Sequence, residues 1–191
     1  MGSNRNRMIV VVLLALVGGC AASQEARRAE GPPSSVHYYV GDRSVTISNG
    51  REVAGARVFL RRTLDPATGT IEENVVDVNT EDSTWNEYTV VMTVSGNTFT
   101  IRESSGGFDG EGTLEGEAWR WTTWRSLSRA SGGNTIESVD RLEVKGLRTE
   151  KIVTASDGRF VVKVTAALSE VSQGEFEQEK RERALPLKRS R

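Results

Sequence analysis

Residues 88–102 read YTVVMTVSGNTFTIR. Tyr88, Val90, Met92 and Val94 occupy every second position, with Thr89, Val91 and Thr93 between them. Ser95-Gly96-Asn97 interrupts the run, and Phe99 and Ile101 then resume the alternation against Thr98, Thr100 and Arg102. Strand side chains point to opposite faces in turn, so this is the pattern of two half-buried strands joined by a Gly-bearing hairpin turn.

The same period of two extends in both directions. Residues 57–64 and 71–78 flank Asp65-Pro66-Ala67-Thr68-Gly69-Thr70, a turn with Pro and Gly in suitable places. Residues 136–145 and 147–155 are separated only by Gly146. Ser156-Asp157-Gly158 then turns the chain into residues 159–168, where Phe160, Val162, Val164, Ala166 and Leu168 share a face. From 36 to 171 the sequence predicts roughly nine or ten strands with short turns and no helix between them. That is an all-β domain with antiparallel meander topology. Closing the sheet into an up-and-down barrel is the economical way to hide its edges. After it, Ser172-Gln173-Gly174-Glu175 fits a capping box, so 172–191 reads as a short C-terminal helix through Arg183, stopped by Pro186 and ending in a basic tip (Lys188, Arg189, Arg191).

One strand is unusual. In residues 108–118, Phe108, Gly110, Gly112, Leu114, Gly116 and Ala118 share one parity, and Asp109, Glu111, Thr113, Glu115 and Glu117 share the other. Glycine weakens a strand interior, so three on one face mark bending or the close approach of a neighbour. Trp119, Trp121 and Trp124 follow directly and supply rings that could lie over that floor. Phe108, Gly110, Gly112, Gly116, Trp119 and Trp121 are thus the candidate ligand-lining set of a hollow barrel. The same residues would equally fill the core of a solid one. Trp124 has the opposite parity to Trp119 and Trp121 unless a bulge intervenes.

Repeated hairpins, a glycine-rich strand before a Trp-rich one, and a helix after the last strand resemble the lipocalin-like, or calycin, class of β-barrels. The resemblance spans residues 36–183. It implies binding of a small hydrophobic or amphipathic molecule without catalysis. The Gly-x-Trp signature of true lipocalins near the first strand is missing, since the earliest tryptophan is Trp85.

Composition excludes much else. The 191 residues carry 25 basic and 26 acidic side chains, one cysteine and one histidine. A near-neutral chain presents no global basic field for nucleic acid. One Cys and one His rule out disulfide frameworks and multi-ligand zinc or iron–sulfur centres. There is no Gly-x-Ser-x-Gly elbow; His37 and Tyr39 share a strand face, an arrangement that could ligate haem iron, but His37 reads rather as a surface histidine on the first strand. The run from Asp77 to Asp82 begins like a calcium loop but places Asp82 where that loop needs Gly. No catalytic residues, metal site or cofactor are expected.

The single cysteine has a definite setting. Arg5 and Arg7 precede a ten-residue apolar run, MIVVVLLALV (8–17), which rises about 15 Å as a helix, half a hydrocarbon core. With Gly18-Gly19 behind it, this reads as a secretory signal over 1–19. Leu16-Val17-Gly18-Gly19-Cys20 resembles the lipobox of bacterial lipoproteins. The resemblance implies cleavage before Cys20 and covalent lipid on its sulfur and amine. Cleavage would remove Arg5 and Arg7 and no acid, taking the net charge from −1 to −3. Residues 20–35 then form the lipidated Cys and a Pro-bearing linker with a reach of about 50 Å. Ala21 stands where Asp would resemble an inner-membrane retention signal, which favours the outer membrane in a Gram-negative source. Together these readings describe an envelope lipoprotein, membrane-anchored, whose barrel binds a small hydrophobic or amphipathic molecule; the alternative is a solid barrel serving as a structural or protein-docking module. The sequence identifies no protein partner.

Overall fold

The computed structural model describes residues 32–48 and 50–184. The signal segment, Cys20, linker residues 20–31 and the basic tip lie outside the described residues. Ten strands form the body: β1 (Ser35–Ile47), β2 (Glu52–Asp65), β3 (Thr70–Asn79), β4 (Trp85–Ser95), β5 (Thr98–Glu103), β6 (Phe108–Glu117), β7 (Arg120–Ala130), β8 (Thr135–Glu143), β9 (Gly146–Thr154) and β10 (Val161–Val171). Each pairs antiparallel with its sequence neighbour, and β1 pairs with β10 to close the barrel. The up-and-down antiparallel barrel read from the period of two is therefore the fold, completed by one helix, α1 (Gln173–Ala184).

Strand parity sets which side chains turn inward. On β4, Tyr88, Val90, Met92 and Val94 join the interior, while Glu87 and Thr93 are exposed outside. On β6 the outward parity carries exposed Asp109, Glu111, Glu115 and Glu117. A charged outer face is the opposite of the apolar band of a membrane-spanning barrel.

A buried apolar patch on the outer wall lies under α1. On β1–β3 the outward Val40, Phe59, Val76 and Val78 are buried, and Phe176 of the helix completes the cluster. Its ring meets Phe59 edge-on at 5.8 Å and Tyr38 at 5.1 Å. Burying one such ring contributes about 2–3 kcal/mol. Arg57 fixes the next turn, donating from Nε to Glu179 Oε1 at 2.8 Å. The capping box is formed: Ser172 N donates to Glu175 Oε2 at 2.8 Å, and Glu175 N returns to Ser172 Oγ at 3.3 Å.

Glycines permit the sharp turns of the wall. An added Cβ at Gly112 would lie 2.2 Å from the Arg125 carbonyl and 2.3 Å from the Phe99 ring, which covers it across the β5–β6 pair. At the β1–β10 seam, a Cβ on Gly41 would lie 2.0 Å from the Ala167 carbonyl. Both strands can approach this closely only without a side chain.

The β5–β6 connection is held by one carboxylate. Glu103 accepts from Ser105 N at 3.0 Å, Ser105 Oγ at 2.5 Å and Gly107 N at 2.7 Å. These donors, the Ser105 hydroxyl foremost, hold its pKa below the ordinary glutamate value. A lowered acid pKa adds stability above its unfolded value that is lost as pH falls through the folded one. Glu103→Gln is therefore expected to lower the melting temperature at neutral pH and to flatten its decline in acid, as read by thermal unfolding across a pH series.

Candidate ligand-binding cavity

The interior holds a cavity of about 330 Å³. That volume is at the small end of ligand pockets. Its floor is apolar. Ile71, Met92, Phe99, Leu114, Trp121 and Trp124 form one buried cluster toward the end that carries the β2–β3, β4–β5 and β6–β7 turns. Trp119, in the last of these turns, adds its ring to Trp121 at 4.9 Å. Toward the opposite end the walls are lined by Val45, Ile101, Phe108, Ile136, Val153 and Val164, all half-buried, which marks the mouth.

Between floor and mouth lies a belt of charge. Arg43, Arg62 and Lys151 face Glu73, Asp77 and Asp140 within the cavity lining. Arg62 is 2% exposed and donates from Nε to Glu73 Oε1 at 2.7 Å, with Asp140 Oδ2 3.8 Å from its Nη2. Its guanidinium also lies 4.6 Å from the centre of the Trp124 ring. Nearer the mouth, Arg43 Nη1 donates to Asp77 Oδ2 at 2.6 Å. Three cations and three carboxylates balance, as buried charges must to be tolerated.

Burial and pairing pull these groups in opposite directions. Burial raises the Asp140 pKa despite opposing Lys151 and Arg62, and raises that of Asp77 despite Arg43. Burial alone would lower the Lys151 pKa, but Tyr88, Asp140 and Glu73 outweigh it and the ammonium is held above its ordinary value. Burial likewise pushes the Tyr88 hydroxyl up.

Several donors in this region lack a protein partner. Arg62 Nη1, Arg43 Nε and the indole nitrogens of Trp121 and Trp124 are buried without a hydrogen-bond acceptor; among buried belt acceptors, Asp77 Oδ1 is likewise unpartnered. An unmet buried polar group costs about 1–3 kcal/mol, and such a concentration marks a place to examine for a ligand.

The sequence-derived lining set is divided by the structure. Phe108 lines the cavity near its mouth. Gly110 and Gly112 point inward but are covered by Ser128 and Phe99, so their contribution is close strand approach rather than exposed floor. Gly116 sits at a β-bulge between β6 and β7, at φ 124°, and Trp119 in the adjoining turn has φ 62°. Trp121 belongs to the floor cluster, below the cavity wall. Trp124 lines the cavity instead, because the register shifts at this bulge: Glu115 pairs with Thr123 but Gly116 pairs with Trp121, leaving Thr122 as the extra residue. One additional residue reverses parity, so both Trp121 and Trp124 turn inward.

The charge belt was not among the residues singled out from the sequence. Its signal was present as charge in an apolar phase: Val58-Leu60-Arg62 on β2, Ile136-Ser138-Asp140 on β8, Leu147-Thr149-Lys151-Val153 on β9. Asp77, the first residue of the calcium-like run, turns inward to Arg43, while Asn79 and Asp82 cap their own loop by accepting from Glu81 N at 2.7 Å and Thr84 N at 2.9 Å. His37 lies with Tyr39 at the floor end, rings 6.3 Å apart, and its Nδ1 is 2.8 Å from Glu170 Oε1. No group of residues able to hold a metal ion occurs among the described residues. No family model matches the chain, and no curated protein matches it.

Proposed function

We propose that this protein is a lipid-anchored envelope lipoprotein whose barrel binds a small amphipathic molecule without catalysis. The observation that carries the binding reading is the interior cavity of about 330 Å³, with apolar walls and a polar belt bearing unpartnered donors. Space beside the buried charges Arg62, Glu73 and Asp77 supports a hollow barrel over a close-packed one. The anchor is supported by the sequence around Cys20, an apolar run followed by two glycines and the only cysteine. Two or three acyl chains would hold the barrel at a bilayer, since each buried methylene contributes about 0.8 kcal/mol.

Native mass spectrometry of the fragment from Ala21, purified from cells, tests the cavity. A co-purifying small molecule is the expected result. A clean apo mass, with no change in tryptophan fluorescence on adding amphipathic probes, would return the protein to the structural or docking reading. Cys20→Ser tests the anchor independently: the variant is expected to accumulate as an uncleaved, unlipidated precursor. Normal cleavage with membrane retention would refute that part.

A further inference from the structure

Resting on the cavity-binding reading, we infer that the ligand is a small amphipathic carboxylate, bound polar end inward at Arg62 and Trp124 with its apolar end among the mouth residues. The first ground is the order of polarity along the cavity. The walls nearest the mouth carry Phe108, Ile136, Val153 and Val164, with one unpartnered donor, Arg43 Nε, beside the unpartnered acceptor Asp77 Oδ1, whereas the unpartnered donors of Arg62 and Trp124 lie together deeper, above the floor. An amphipathic molecule reaches that deeper pair, with its apolar end against the mouth residues, when it enters head first.

The second ground is the donor balance. Arg62 donates from Nε to Glu73 and its Nη2 forms an ion pair with the same carboxylate, while neither Nη1 nor Nη2 has a hydrogen-bond acceptor, and neither does the Trp124 indole nitrogen beside it. On the acceptor side the belt leaves only Asp77 Oδ1 unmet among its buried atoms, nearer the mouth and next to Arg43. A head group must therefore bring acceptors. A carboxylate fits best, because hydrogen bonds from a guanidinium to an anion are about twice as strong as neutral ones.

The third ground is size. At about 30 Å³ per non-hydrogen atom, the volume of a water in the liquid, the cavity takes roughly ten atoms. Octanoate, octanol and octylamine are matched probes of that size.

Calorimetric titration of the purified chain with the three probes is the test. Octanoate is expected to bind at least about tenfold more tightly than either analogue, a difference of about 1.4 kcal/mol. Trp124→Phe keeps an aromatic ring but removes the indole donor, and should reduce the octanoate preference over octanol several-fold. Glu73→Gln removes the carboxylate that competes for Arg62, and should strengthen octanoate binding, an effect that lost packing would not produce. Melting curves establish that both variants are folded. Equal binding of octanol, tighter binding of octylamine, or weaker octanoate binding by folded Glu73→Gln would overturn the head-group assignment and leave the cavity reading standing. If no probe binds and the protein from cells is also empty, the cavity reading itself fails, and this inference with it.

Discussion

Arg62→Leu is expected to destabilise the barrel by about 3–5 kcal/mol at neutral pH, as measured by chemical denaturation. The guanidinium is wholly buried, pairs with Glu73 and lies near Asp140. Leucine restores neither the charge nor the donors, so two carboxylates are left in the interior facing only Lys151 and the more distant Arg43. The cost is the unpaired charge rather than the lost volume. Two consequences separate these causes. Adding Glu73→Leu should recover much of the loss, because a buried ion pair replaced whole is often neutral. Lowering the pH should also narrow the deficit. Asp140, whose pKa burial already raises, would lose the opposing Arg62 and lie further above its unfolded value; the variant then binds more protons folded than unfolded, and its stability rises as pH falls through that window. A loss under about 1 kcal/mol, independent of pH, would show that the belt is not a low-dielectric interior.

Trp121→Ala should cost a similar amount, about 3–5 kcal/mol, for a different reason. Trp121 is 2% exposed, sits among Ile71, Phe99, Leu114 and Trp124, and stacks obliquely with Trp119. Its removal leaves a void at the floor that the closed sheet cannot collapse to fill. This loss should be insensitive to pH, in contrast to that of Arg62→Leu. The comparison variant Trp119→Ala should cost less, because that ring is only half-buried. Equal losses at the two tryptophans would contradict a floor anchored on Trp121.

The barrel was legible because strand alternation is a local signal. Tyr88 through Ile101 specify a hairpin by themselves, and the same rule repeated along the chain leaves no room for a crossover helix. The glycine pattern of β6 was legible too, although its reason is two-sided: Gly112 admits both the β7 backbone and the Phe99 ring. The position of Trp124 was not, since a bulge depends on where β6 and β7 meet and nothing in either strand alone marks the extra residue at Thr122. The belt escaped for a related reason. A single Arg62 or Lys151 in an apolar phase reads as an imperfection. It becomes a site only when the β2–β3 hairpin sets Arg62 opposite Glu73 and barrel closure brings in Asp140 from β8, far along the sequence.

That closure also orders the assembly in time. Nine of the ten strand pairings join neighbours in sequence, but the last joins Tyr38 to Val171, with Gly41 opposite Leu168. Short loops close at little entropic cost, so hairpins form early, whereas the seam must wait for nearly the whole chain. Until then β1 presents an unpaired edge, and its Tyr38 and Val40 lack the helix that covers them. The strand made after the other nine is therefore the one that seals the first, and a chain halted before β10 is left as a curved open sheet, vulnerable to proteases and to pairing with its own kind.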